Sequence, residues 1–207
     1  MNVLLINGSP HEKGCTYTAL SEVAHALEQE HISTTLFHIG IQPIRGCIGC
    51  GVCRTTGRCF YDEDTVNACL ELAKKADGIV VGSPVYYAGP NGALCAFLDR
   101  LFFAANGTLA FKPSASVVSS RRAGGPAAFD RLNKYFTISH MPIVSSQYWN
   151  EVHGSTPEDV LKDAEGLQTM RTLGRNMAWL LHCIQAGQEQ GIVYPQKEEV
   201  IRTNFIR

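Results

Sequence analysis

Apolar residues along this chain fall into two alternating patterns, short strand-like runs and longer stretches with helical repeat. Residues 2–7, 34–39, 78–82, 114–120 and 143–146 are of the first kind, each short enough for a strand buried in a sheet. Between them apolar positions recur every three to four residues, as on one face of a helix. Leu20, Val23, Ala24 and Leu27 form such a face in residues 16–28, and Val66, Cys69, Leu70, Leu72 and Ala73 form one in residues 62–75. Leu94, Phe97, Leu98 and Leu101 do the same in residues 91–103, and further helices are expected over 127–136 and, in one long piece, 157–187. Asp62 and Asp64 stand at the start of the second helix, where negative charge complements the helix dipole. Ser83-Pro84-Val85-Tyr86-Tyr87 is expected to break the third strand.

Five strands alternating with five helices imply an α/β three-layer sandwich, because each right-handed crossover lays its helix on one face of a parallel sheet. The expected strand order is 2-1-3-4-5, with ligands at the carboxyl ends of the strands near the point where the order reverses. The 207 residues suit one domain, here residues 1–187, with 188–207 as an extension of the same domain that packs on a neighbour. No repeat, linker or low-complexity tract interrupts it.

A formal net charge of −1 argues against a nucleic-acid binder, which uses clustered positive charge against phosphates. No apolar run reaches the length needed to cross a bilayer, and Met1 leads directly into a strand-like stretch. A cytoplasmic protein is expected, with neither nucleic acid nor membrane as partner.

Three loops at the expected carboxyl edge have the composition for ligand binding. The first, Gly8-Ser9-Pro10-His11-Glu12-Lys13-Gly14-Cys15-Thr16, joins a strand to a helix N-terminus, where unpaired N–H groups favour an anion and Ser9 and Thr16 add hydroxyls. It is neither a dinucleotide GxGxxG nor a Walker loop, and an ordinary strand-to-helix turn has the same outline. The second loop offers Pro84, Val85, Tyr86 and Tyr87 as a rigid apolar surface for a flat ring. The third, from Ser119 through Arg121 to Gly124 and Gly125, offers backbone N–H groups on the same edge. Arg121 and Arg122 are also what a solvated surface looks like.

With these residues in order, the chain resembles the NADPH-dependent FMN reductase branch of the flavodoxin-like superfamily. Asn7-Gly8-Ser9-Pro10 with Gly14 and Thr16, Gly82-Ser83-Pro84-Val85-Tyr86-Tyr87, and Leu98-Asp99-Arg100 carry the resemblance. It implies a flavodoxin-like fold and an FMN whose phosphate lies on Ser9, His11, Gly14, Cys15 and Thr16. The flavin ring would then rest against Pro84, Val85, Tyr86 and Tyr87 and the loop of Ser119, Arg121, Gly124 and Gly125. His11 stands where Arg is usual in the family, and Cys15 where Asn is usual.

Four of the eight cysteines crowd together, Cys47, Cys50, Cys53 and Cys59, in the spacing C-x2-C-x2-C-x5-C. In a reducing compartment such crowding points to metal or redox work rather than disulfides. Zinc knuckles are usually split by a longer span, whereas a tight run among glycines suits a [4Fe-4S] cube. The spacing also resembles the iron-sulfur flavoproteins of the same superfamily, although cysteine-rich loops without a cluster, shaping a subunit contact, fit the pattern too.

The resulting expectation is an enzyme that takes hydride from NAD(P)H onto FMN and passes electrons to a second small-molecule or protein acceptor. The alternative is a non-enzymatic electron-transfer flavoprotein, with or without the cluster; a near-neutral chain offers such a carrier little steering. A flavin-binding sensor is a third reading, for which the chain shows no signalling appendage. The resemblance further implies a homodimer or homotetramer, with Phe102 and Phe103 available to seal the pocket. Tyr148, Trp149, Asn150 and His153 are expected at its rim.

Overall fold

In a computed structural model, which describes residues 1–196, 198–203 and 205, the chain folds as the alternating pattern predicts. Strand β1 (Asn2–Asn7) leads into helix α1 (Cys15–Gln29), and β2 (Ser33–His38) is followed by the cysteine segment with its short helix α2 (Cys53–Thr56). Then come α3 (Val66–Lys75), β3 (Gly78–Tyr86), β4 (Gly89–Pro90), α4 (Gly92–Ala105), β5 (Ser114–Ser120) and α5 (Gly125–Ile138). Strand β6 (Glu151–His153), α6 (Pro157–Val160) and α7 (Ala164–Glu189) complete the order. The sheet runs β2-β1-β3-β5-β6 with parallel neighbours, the expected 2-1-3-4-5 order once the small antiparallel β4 beside β3 is set aside.

The central strands β1, β3 and β5 bury side chains on both faces because these alternate along a strand, whereas the edge strand β2 is half-exposed. Leu4, Ile6, Ile79, Val81 and Val118 point into one core with α3, α4 and α5. Val3, Leu5, Val80, Ala115 and Val117 point into the other, against α1 and α7. At Gly82 α1 presses close on the sheet, since a Cβ there would stand 2.7 Å from the Leu20 side chain.

Four elements depart from expectation. Strand β3 continues through Ser83 and Pro84 to Tyr86, because the last β1 pair is Asn7 with Gly82 and beyond it the strand is an edge that tolerates a residue without N–H. The fifth strand does not lie at 143–146. Ile143 makes only an isolated bridge to Ser114, the chain then leaves the sheet, and it returns as Glu151–His153 beside β5. Asn150 spans the gap with its side chain, donating to the Ser116 carbonyl at 3.0 Å and accepting from Ser146 Oγ at 2.7 Å, while its own carbonyl accepts from Val118 N at 2.9 Å. The last helix is divided at residues 161–163, where Asp163 caps α7 by accepting from Gly166 N and also accepts from His153 N. The helix expected from residue 62 begins at Val66, whose N–H donates to Asp64 Oδ1 at 3.2 Å just ahead of it.

Of the expected extension 188–207, Tyr194 stacks on Phe111 of the same chain with ring centroids 5.0 Å apart. Positions 197, 204, 206 and 207 of that extension lie outside the described residues.

Because Asn150 replaces a missing rung, Asn150→Ala leaves the buried Ser116 carbonyl without its donor. A loss of about 1–3 kcal/mol is expected in urea unfolding, with little change in the slope of the transition.

Candidate functional site

The end of β1 builds the first loop through its own side chain. Asn7 Oδ1 accepts from Ser9 N at 3.0 Å and Asn7 Nδ2 donates to the Glu12 carbonyl at 3.0 Å, which bends the chain back over the strand. Ser9 Oγ accepts from His11 N at 3.1 Å, and the His11 carbonyl accepts from Gly14 N at 3.2 Å. No side chain caps α1, so its first-turn N–H groups are presented to whatever the loop encloses. His38, at the end of β2, has Nε2 at 2.8 Å from the Ser9 carbonyl and supports the loop from beneath. Sequence reasoning missed it.

Side chains tie the other loops to this one. Thr16 and Ser119 share a buried hydrogen bond of 2.8 Å between their hydroxyls, joining the first and third loops. Asn91 Nδ2 donates to the Gly8 carbonyl at 3.0 Å, and Asn91 N donates to Ser83 Oγ at 3.0 Å, which fixes the base of the second. That second loop is a tight hairpin, Tyr86 pairing with Gly89 across Tyr87 and Ala88. Both turn residues are left-handed, φ 51° and 58°, a conformation costing an L-residue about 1 kcal/mol or more. The hairpin holds the Tyr87 ring wholly in solvent.

A cavity of about 300 Å³ opens where these loops meet. Ser9, His11, Cys15 and Thr16 line it from the first loop, Pro84, Val85 and Tyr86 from the second, and Ser119 and Arg121 from the third. Burial pushes the Cys15 thiol above its usual range, so it stands there as a neutral group. Four other expected residues lie elsewhere. Gly14 lines a neighbouring cavity of about 560 Å³ beside the first loop, and Tyr87 is at the hairpin tip. Gly124, at φ 91°, is packed on Ala88, where a Cβ would come 2.8 Å from its Cα. Gly125 lies under the Glu151 carboxyl in a third cavity, of about 350 Å³, together with Tyr148, Trp149 and His153. Gly154 and Ser155, which follow β6, also line the 300 Å³ cavity. They were not anticipated because the strand that delivers them was placed too early.

The cysteine segment gathers around a different point. Cys47, Cys50, Cys53 and Cys59 all line one cavity of about 60 Å³ with Arg54, Tyr61 and Arg100, and no carboxylate or histidine is among its walls. Gly49 and Gly51 take φ values of 65° and 76° that L-residues rarely adopt, which lets the chain wrap between the cysteines. Burial pushes the Cys53 thiol up, and the other three thiols of the group add to it, as sulfurs held near one another do. Among the described residues no three His, Cys, Asp or Glu side chains converge on a single ion.

Arg100, on α4, anchors this segment. Its side chain is 1% exposed, and its Nη2 donates to Asp64 Oδ1 at 3.0 Å and to the Tyr61 carbonyl at 3.0 Å. Nη1 donates to the Arg45 carbonyl at 3.2 Å and to Asp64 Oδ2, and Nε donates to Cys59 Sγ at 3.1 Å. The guanidinium also lies 5.2 Å from the Tyr61 ring centre. Burial works against its charge, but Asp64 and Cys59 more than offset that, and its pKa ends above the usual arginine value.

Asp64→Ala therefore leaves a buried cation unpaired and is expected to cost about 3–5 kcal/mol in denaturant unfolding. Glu151 gives a pH signature. Burial raises its carboxyl pKa, with His153 opposing, so the folded state is penalised once the pH exceeds the ordinary carboxylate range. Glu151→Gln should raise Tm at pH 7, and the gain should vanish as the pH falls below about 4, where the unfolded carboxyl is also protonated.

The NADPH-dependent FMN reductase family matches residues 1–156. An iron-sulfur flavoprotein of Methanocaldococcus jannaschii is 30% identical over 195 residues, covering 89% of this chain and 100% of the relative. One from Methanosarcina thermophila is 24% identical, covering 92% of this chain and 100% of its own. Among solved structures, a WrbA-like flavodoxin from Agrobacterium tumefaciens shares the fold with a TM-score of 0.62 at 18% identity, over 88% of this chain and 98% of that one. The family match runs from β1 through β6 and takes in every loop of the carboxyl edge, so this chain belongs to the NADPH-dependent FMN reductase family, as a flavodoxin-like FMN flavoprotein.

Proposed function

We propose that this protein is an NAD(P)H-dependent FMN oxidoreductase that hands electrons to a second acceptor, and that Cys47, Cys50, Cys53 and Cys59 hold a [4Fe-4S] cluster. The observation that carries the reading is the single cavity at which three strand-end loops are joined by the Thr16–Ser119 and Asn91–Gly8 hydrogen bonds. When bound, FMN accepts a hydride as two electrons and can release them singly, which suits a centre that takes one at a time. The chain's own part is to bind and orient. Ser9, His11, Gly14, Cys15 and Thr16 would hold the phosphate at the uncapped start of α1. Pro84, Val85 and Tyr86 would flank the ring on one side, with Ser119 and Arg121 along its edge; Tyr87, Gly124 and Gly125 stand outside this cavity.

For the cluster, the donor set is the argument: four thiols around one cavity, no hard oxygen ligand, and two arginines against the negative charge. A cube binds each cysteine to a different iron, so it asks for sulfurs spaced about a cavity rather than converging on a point. The relatives named iron-sulfur flavoproteins support the same reading. Phe103, Phe60 and Ile48 are exposed around this cavity and favour a subunit contact there, in a homodimer or homotetramer. Phe102 is not available for it, because it stacks on Tyr135. All eight cysteines are free, and no described helix is long and apolar enough to cross a membrane.

Turnover separates the enzyme from the carrier. FMN-loaded protein should consume NADPH or NADH continuously when quinone, nitro or azo compounds, free flavin or ferric iron are offered in turn. Tight FMN binding with no pyridine nucleotide oxidation by any of them would establish the electron-transfer flavoprotein instead. Thr16→Val removes the link between the first and third loops and should weaken FMN binding roughly tenfold, about 1.4 kcal/mol, measured by equilibrium dialysis.

A further inference from the structure

The buried guanidinium of Arg100 has all five of its N–H groups committed: two to Asp64, two to the Arg45 and Tyr61 carbonyls, and one, on Nε, to the sulfur of Cys59. Those partners lie on both sides of the cysteine run, and the sulfur is the only one of them that belongs to it. Cys59 is also held through its backbone. Its N–H donates to Asn67 Oδ1 at 2.9 Å and its carbonyl accepts from Asn67 Nδ2 at 3.1 Å. Cys47 and Cys50, by contrast, are exposed on a stretch without regular structure. The four thiols are therefore not equivalent: one is fixed in place beside a permanent positive charge, and two stand at the open side.

We infer that Arg100 is a positioning residue for the redox centre, its Nε–H fixing Cys59 as the anchored ligand and favouring the reduced, more negative state of the cluster bound there. The inference rests on the reading that these cysteines hold a [4Fe-4S] cluster. One-electron reduction adds a single negative charge without making or breaking a bond, and a hydrogen bond to a ligand sulfur stabilises that added charge. An arginine does not lose its proton in a protein, so the effect persists across pH. It is strengthened by burial, where hydrogen bonds act in a low dielectric.

The test uses the full chain reconstituted anaerobically with ferrous iron and sulfide, titrated with dithionite and followed by electron paramagnetic resonance. Arg100→Met with Asp64→Leu removes both buried charges together, which avoids leaving one of them buried and unpaired. Relative to wild type, its cluster should be harder to reduce by about tenfold in the equilibrium, ~59 mV for one electron. Arg54→Met, which removes the other arginine of the cavity wall, should shift it less. Independently of any variant, pulsed resonance on reduced wild-type protein carrying 15N-arginine should show a guanidinium nitrogen coupled to the cluster. A double variant with wild-type iron content and an unshifted potential, or no nitrogen coupling in the wild type, overturns the role of Arg100 while the cluster stands. Wild-type protein that takes up no iron overturns the cluster reading and this inference with it.

Discussion

Parallel pairing is the constraint on which the rest of this molecule depends. Every neighbour along β2-β1-β3-β5-β6 runs the same way, so every loop that follows one of these strands leaves at one edge, and each helix returns the chain to the other. Nothing else is needed to bring residues 9, 86, 119 and 155 to one cavity. What the local sequence adds is rigidity. Asn7 folds the first loop, Asn91 ties the hairpin to it, and Thr16 with Ser119 closes the third side. Such a frame holds a ligand in one orientation because its side chains are already committed to each other.

The cysteine segment is built on different principles. It lies outside the sheet, between β2 and α3, and its glycines leave it few side chains to bury. Its long-range attachment runs through the buried Arg100, paired with Asp64 and bonded to Arg45, Cys59 and Tyr61, together with Asn67 at Cys59 and Lys74 at Gly57. This choice has a physical consequence. A fork of five donors fixes two backbone carbonyls, a carboxylate and a sulfur at once with less loss of freedom than five separate contacts. An apolar anchor of the same volume would satisfy none of them.

How much of this was legible in the sequence follows from the range of the interactions. Strands buried on both faces announce themselves, and β1, β3 and β5 lie within a few residues of expectation, as does the half-exposed edge strand β2. The fifth position in the sheet was not, because it is shared between a bridge at Ile143 and three residues at 151–153, too short for any pattern. That error hid Gly154 and Ser155 from the site. Gly124 and Gly125 were read as donors toward a ligand, yet their lack of a side chain answers to Ala88 and Glu151. His38 gave no signal, since one histidine at a strand end is unremarkable. Arg100 did give one: it is a charge on a helix whose neighbours Phe97, Leu98 and Leu101 are core, although its partners lie 36 to 55 residues away.

The account stands on the cavity at the carboxyl edge being the FMN site. The most direct measurement is a fluorescence titration of flavin-free protein with FMN, in parallel with riboflavin, which lacks the phosphate. The account predicts saturable quenching at one FMN per chain, with riboflavin bound far more weakly because the start of α1 then has no anion to hold. Flavin fluorescence left unquenched by excess protein, or equal binding of the two flavins, would contradict it.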